Sequence, residues 1–393
     1  VVATLLQTLG DLIGTNWKHR EVPKRYSRTF VCRCGSHVFF GNMFCNSCQT
    51  PLGYLPGEDA LLPLDPGPQP GIWAAGEERP LLKYCGNRDT PAQCNWMLMA
   101  SEPGELCIAC RLNRTIPNLD REDNARYWGL LEVAKRRLVS QLLALGLPVK
   151  SKVDEDEKHG LMFDFLRSPP SGPRVLTGHA DGLITVNIEE ADSVQREKMR
   201  LEFYEPYRTL LGHLRHEVGH YYWNRLVFNG PWLEPFRTLF GDERADYAAA
   251  LKANYDNGAP PDWADRYISS YASTHPWEDW AETWAHYLHM IDSLGTALGF
   301  GLDAEDLEAI VEPFERDALY APDDTGADGF LSLLNSWIEM TMVLNELARS
   351  MGQPDFYPFV MSKPSVAKLQ FVHMVVEASR SAGTESVEAG FLG

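Results

Sequence analysis

The segment His216-Glu217-Val218-Gly219-His220 is the densest piece of chemistry in the chain. Histidines four apart on a helix project from nearly the same side, so both imidazoles can reach one metal ion. The glutamate between them can take a proton from a water that such an ion polarises. Leu211, Leu214, Val218, Tyr221 and Tyr222 form an apolar stripe on the side away from the histidines, as a buried helix with ligands on its other face requires. Glu205-Pro206 offers a start for that helix. His213 reads as a packed or hydrogen-bonding histidine.

Two histidines do not complete a site. Trp223 and Leu226 stand where a metzincin motif would continue with Gly and His, which excludes that continuation. The next donors lie in His275-Pro276-Trp277-Glu278-Asp279-Trp280-Ala281-Glu282. Thr274 can cap a helix there, Pro276 suits its first turn, and acidic residues favour a helix N-terminus. Glu278, Ala281, Glu282, Ala285 and His289 share one face, and the alanines allow close approach to the 216–220 helix. Glu278 is then the expected third ligand, and Glu282, one turn on, the carboxylate that orients a ligand histidine. The alternative is a pair of solvated or capping carboxylates.

All eight cysteines fall between Cys32 and Cys110. Cys32, Cys34, Cys45 and Cys48 form one group, and Cys85, Cys94, Cys107 and Cys110 a second. Each ends in a Cys-x-x-Cys knuckle, which supplies two of the four thiolates of a tetrahedral zinc site. Two structural zinc ions are expected, since a short segment with few apolar runs gains folding energy from metal. Spacing leaves pairing across the groups open. A disulfide framework would not confine its cysteines in this way.

The elements that position these residues follow from pattern and composition. The chain has 393 residues, 44% hydrophobic and 23% charged, enough for a packed core. Residues 1–28 read as a tail without a signal peptide, and the non-Met start as a processed, trimmed or extended end. Residues 29–115 read as a small Cys-rich zinc-ribbon domain of short strands, with Leu55–Pro80 a linker-like, Pro-rich run. Residues 116–393 read as a mostly helical domain with a short β-sheet, so the class is α+β. Within it Asn124–Leu145 is helical, with Lys135-Arg136-Arg137 on a wetter face, and Gly182–Ile188 is the best strand. No apolar run is long enough for a membrane span. Net charge is −18. Residues 1–150 carry 17 Lys+Arg against 14 Asp+Glu, and the remainder 19 against 40, so nucleic acid is disfavoured as a partner. Asp242-Glu243-Arg244 and Asp246 read as support for the site or as an exposed charged turn, and His286, His289 and His373 have no assigned role.

From about Arg28 the chain resembles the bacterial family of zinc-binding metallopeptidases that carry an N-terminal zinc-ribbon domain. The resemblance rests on Cys32-Arg33-Cys34-Gly35, Cys45-x-x-Cys48, Cys94-Asn95-Trp96, Gly178–Gly182, Tyr207–His213, the 216–223 segment and His275–His289. It implies a zincin-like fold, a gluzincin-type ligand set and zinc-dependent peptide hydrolysis. A narrower stretch, Ser270-Tyr271-Ala272 with Glu278-x-x-Ala281-Glu282, is similar to the catalytic segment of the protease component of anthrax lethal toxin. That likeness implies Glu278 as the zinc ligand and Tyr271 as an assisting tyrosine, against the alternative of a packing tyrosine.

The expectation is a cytoplasmic metallopeptidase, working as an endopeptidase. His216, His220 and Glu278 would hold one catalytic zinc, Glu217 would act as base, and Tyr271 would donate to the oxyanion. Gly182, Ile184 and Val186 would line a substrate-binding strand, because zinc peptidases bind extended chains along a sheet edge. A peptide or protein is the expected substrate, with a further protein partner possible through the ribbons. The rival reading is a zinc-ribbon interaction module with an inactive or regulatory zincin domain.

Overall fold

The computed structural model describes residues 29–202, 209–301 and 312–390. The tail reading of 1–28 and the helix start at Glu205-Pro206 lie outside the described residues.

The Cys-rich part is built from short antiparallel strands. β1 (Thr29–Val31) pairs with β2 (His37–Phe39), and β3 (Leu52–Leu55) with β4 (Ala60–Pro63). β5 (Asp65–Pro66), β6 (Ile72–Ala74), β7 (Leu82–Tyr84) and β8 (Met97–Met99) form a four-stranded sheet in that order. The 55–80 run is therefore not a linker. Its prolines sit at strand ends and in turns, and Pro66 lies on an edge strand, where a missing N–H costs no ladder bond.

A second sheet runs β11 (Gly178–Ala180), β12 (Leu183–Asn187), β10 (Met162–Leu166), β9 (Asn113–Thr115). β12 is parallel to β10 and antiparallel to β11. The remainder is helical: α1 (Glu122–Ala144), α2 (Ser193–Glu202), α3 (Leu210–Tyr222), α4 (Leu233–Phe240), α5 (Tyr247–Asn257), α6 (Pro276–Gly299), α7 (Ala327–Ser350) and α8 (Lys363–Gly390). The architecture is thus α+β, a small Cys-rich part followed by a mostly helical, zincin-like one.

α3 and α6 pack side by side at the centre. A Cβ added at Gly219 would lie 3.0 Å from Ala281 Cα, so any larger residue would require the two helices to give by a few tenths of an ångström. Trp280 Nε1 donates to Gly219 O at 2.9 Å, and Tyr222 stacks on Trp284 with centroids 4.9 Å apart. α8 closes the other side of α6, where Lys368 meets Asp279 at 2.6 Å.

The basic run on α1 is not a solvated face. Lys135 and Arg136 are buried. Lys135 Nζ lies 2.6 Å from Glu132 Oε1 and donates to Asn113 Oδ1, and Arg136 donates to Ala92 O at 2.8 Å. A cluster of acceptors and thiols draws the cations inward, since a buried charge must be paired.

Candidate metal centre

α3 starts where Thr209 Oγ1 accepts from Gly212 N at 2.9 Å. α6 is capped by His275, not Thr274: the ring nitrogen accepts from Trp277 N at 3.1 Å, and Pro276 opens the first turn. These two starts set the phase of both helices, and their facing sides bring His216, His220 and Glu278 together. The donor atoms of these three residues all lie within 4.8 Å of one another. Glu278 Oε2 is 3.0 Å from His216 Nε2 and 3.5 Å from His220 Nε2. That oxygen is buried and, apart from these imidazole contacts, meets no hydrogen-bond partner among the described residues. An unpartnered carboxylate oxygen facing two imidazoles is the arrangement a divalent cation satisfies, and mixed imidazole–carboxylate donors suit zinc.

The supporting contacts come from other segments. Glu282 Oε1 lies 2.7 Å from His216 Nδ1, and Ser269 Oγ donates to Glu282 Oε2 at 2.6 Å. Tyr247 Oη donates to Glu278 Oε1 at 2.7 Å. Glu217 is buried beside His213. Burial pushes the Glu217 carboxyl up, but the His213 hydrogen bond and the charges of His213, His216 and His220 outweigh it and hold it low. Burial opposes the charge on His213 too, yet Glu190 and Glu217 raise it to about 10. Tyr271 stands 5.9 Å from His216, ring to ring, and is held neutral by burial and by the nearby Glu278 charge. Trp277 and His179 wall the other side, 4.3 and 6.3 Å from the His220 ring.

The proposed substrate strand needs correction. β12 is bonded to β11 and β10 on its two sides, and Ile184 and Val186 are buried, so Gly182, Ile184 and Val186 offer no free edge. β11 is the outer strand, it packs against α3, and its His179 accepts from Gly182 N at 2.9 Å. Asp242 pairs with Arg244 in an exposed turn, and Asp246 caps α5 by accepting from Ala249 N at 3.0 Å. His286, His289 and His373 bond to Tyr357, Arg215 and Tyr287, and none of them joins the three-donor cluster.

Tyr247, Ser269 and Glu190 were not identified from sequence. Each reaches the site from a segment distant in the chain, and a lone Tyr, Ser or Glu carries no spacing signal.

The cysteines gather within groups, not across them. Cys32, Cys34, Cys45 and Cys48 form one four-thiol cluster, half exposed, and Cys85, Cys94, Cys107 and Cys110 another, wholly buried. Sulfur pairs stand 3.6 to 3.8 Å apart with no disulfide, a separation that suits thiolates around one ion. Cys110 Sγ lies 3.9 Å from Glu132 on α1.

Comparisons with known proteins agree with this layout. The profile of a family described as "Putative zinc-binding metallo-peptidase" matches residues 124–375, and a zinc-ribbon domain profile matches 29–121. Proteins from Mycobacterium bovis and Mycobacterium tuberculosis, named only as uncharacterized, are 40% identical over 352 residues, covering 89% of this chain and 95% of theirs. No solved structure matches. Among the described residues no helix is long and apolar enough to cross a membrane.

Proposed function

Since the chain belongs to the zinc-binding metallo-peptidase family, we propose that it hydrolyses peptide bonds at the cluster of His216, His220 and Glu278. The observation that carries this reading is the convergence of three donors from two helices beside a buried glutamate. Zinc held there supplies Lewis-acid polarisation of water and of the scissile carbonyl. Glu217 takes the proton of the attacking water and passes it to the leaving amine. Tyr271 donates a hydrogen bond from its phenol to the oxyanion as the carbonyl becomes tetrahedral. Tyr247 and Glu282 hold Glu278 and His216 in place. The open edge of β11 takes the substrate as an added strand. An edge of this kind accepts a chain that continues in both directions, which favours endopeptidase action.

In this reading residues 29–115 form a ribbon unit with two structural zinc ions, and 116–393 the catalytic unit with one. Eight free cysteines fit a reducing compartment such as the cytoplasm.

Metal analysis and peptide hydrolysis together test the reading. E217Q should keep three zinc ions per chain and lose at least ~100-fold in turnover. E278A should fall to two zinc ions. Full hydrolysis by E217Q defeats the assignment. Three zinc ions with no hydrolysis across a broad peptide library would favour a binding module instead.

A further inference from the structure

We propose that His213 is a positioning residue for Glu217 and that Glu190 holds His213 in that role. The inference rests on the peptidase reading only for what Glu217 does. His213 Nδ1 lies 2.6 Å from Glu190 Oε2, and His213 Nε2 lies 3.2 Å from Glu217 Oε1. Both ring nitrogens thus face carboxylate oxygens. A neutral imidazole has one N–H and can serve only one of them; the imidazolium donates to both. His213 and Glu217 are four apart on α3, so the helix itself sets their spacing.

Glu190 is fixed in its turn. It lies in the short helical turn Ile188–Ala191 that follows β12. Its other oxygen accepts from Thr177 Oγ1 at 2.5 Å, and Thr177 Oγ1 accepts from Asn187 N at 3.0 Å. Thr177 immediately precedes β11. One chain of hydrogen bonds therefore runs from the open sheet edge through Glu190 and His213 to Glu217.

Two consequences follow for Glu217. Oε1 is occupied by His213, which leaves Oε2 for the water. The carboxylate also gains a cationic partner at Oε1. Glu278 and Glu282 already place carboxylates across the helix seam, and a third buried carboxylate there needs a hydrogen-bonding partner. Without His213, Glu217 would lose the contact that fixes Oε1 and would be free to rotate.

Histidine-selective 15N NMR on the zinc-loaded full chain tests this without reference to turnover. At about pH 8, where an ordinary histidine is neutral, the wild-type His213 ring should show imidazolium shifts, assigned by their loss in H213Q. E190Q should return the ring to a neutral pattern. With a fluorogenic peptide, H213A should lower kcat about 10- to 100-fold at unchanged KM and zinc content, the range typical for loss of a partner one contact removed from a site. H213Q, whose amide still donates to Glu217, should recover part of that loss. A neutral ring in wild type, or unchanged kcat in fully metallated H213A, overturns the proposal. A wild type that cuts no peptide sinks the peptidase reading alone, and the ring shifts then decide the clamp by themselves.

Discussion

At the residue scale, the two oxygens of Glu278 have separate duties: Oε1 accepts from Tyr247, and Oε2 is left facing His216 and His220. Y247F should therefore weaken zinc binding at this centre by roughly tenfold and leave the thiol clusters filled, as competition against a metal chelator would show. A second single-residue prediction concerns His286, buried against Tyr357 and Phe359. Burial lowers it from 6.5 to about 4, with Glu282 opposing and His216 adding to the shift. Its folded pKa lies below its unfolded one, so the unfolded chain binds the extra proton first. The associated stability, up to about 3 kcal/mol, is present above pH ~6.5 and is lost as pH falls toward ~4. H286Q should flatten the acid limb of Tm against pH relative to wild type; parallel limbs would refute this. What was legible at this scale was whatever repeats on a helix: His216, Glu217 and His220 by their spacing, and Glu278 with Glu282 one turn apart. Tyr247 and Ser269 were not, because a contact made from a loop leaves no period behind.

Elements decide whether those residues meet. Gly219 lets α3 and α6 touch backbone to backbone, and the obstacle to any larger residue is the Ala281 main chain, not a flexible side-chain tip. G219A should cost about 1–3 kcal/mol in urea unfolding and reduce zinc occupancy at the centre, because the helices must part. Unaltered stability would mean that the seam is looser than its distances indicate. The alanines that let the second helix approach the first were readable in advance; the part of Gly219 was not. Nor was strand order. The Gly182–Ile188 pattern correctly marks a strand, with Ile184 and Val186 buried and Leu183 and Thr185 half-buried, but a place between two strands leaves no mark in that alternation, and pairing partners are chosen by the rest of the chain. The Pro-rich 55–80 run misled for a related reason: proline excludes central strands and says little about edges.

On the scale of the whole molecule, the Cys-rich and helical parts share one core. A continuous set of buried side chains runs from Phe30 and Trp96 through Leu138 to Trp280 and Val376. Thr29 Oγ1 donates to Gly299 O at 3.0 Å, and Arg137 pairs with Asp292 at 3.0 Å, tying the first strand and α1 to α6. The chain should therefore unfold as one unit. C107S, in the buried cluster beside α1, should lower the Tm of the entire transition by several degrees, while C34S, in the exposed cluster, should shift it less. Two separate calorimetric transitions in wild type would contradict this. All four cysteines Cys85, Cys94, Cys107 and Cys110 lie under the surface, so an ion entering the folded chain has to wait for a local opening. If this cluster holds zinc as proposed, capture belongs to synthesis and collapse, and zinc starvation would then leave unfinished chains for proteases to clear, not mature ones waiting to be charged.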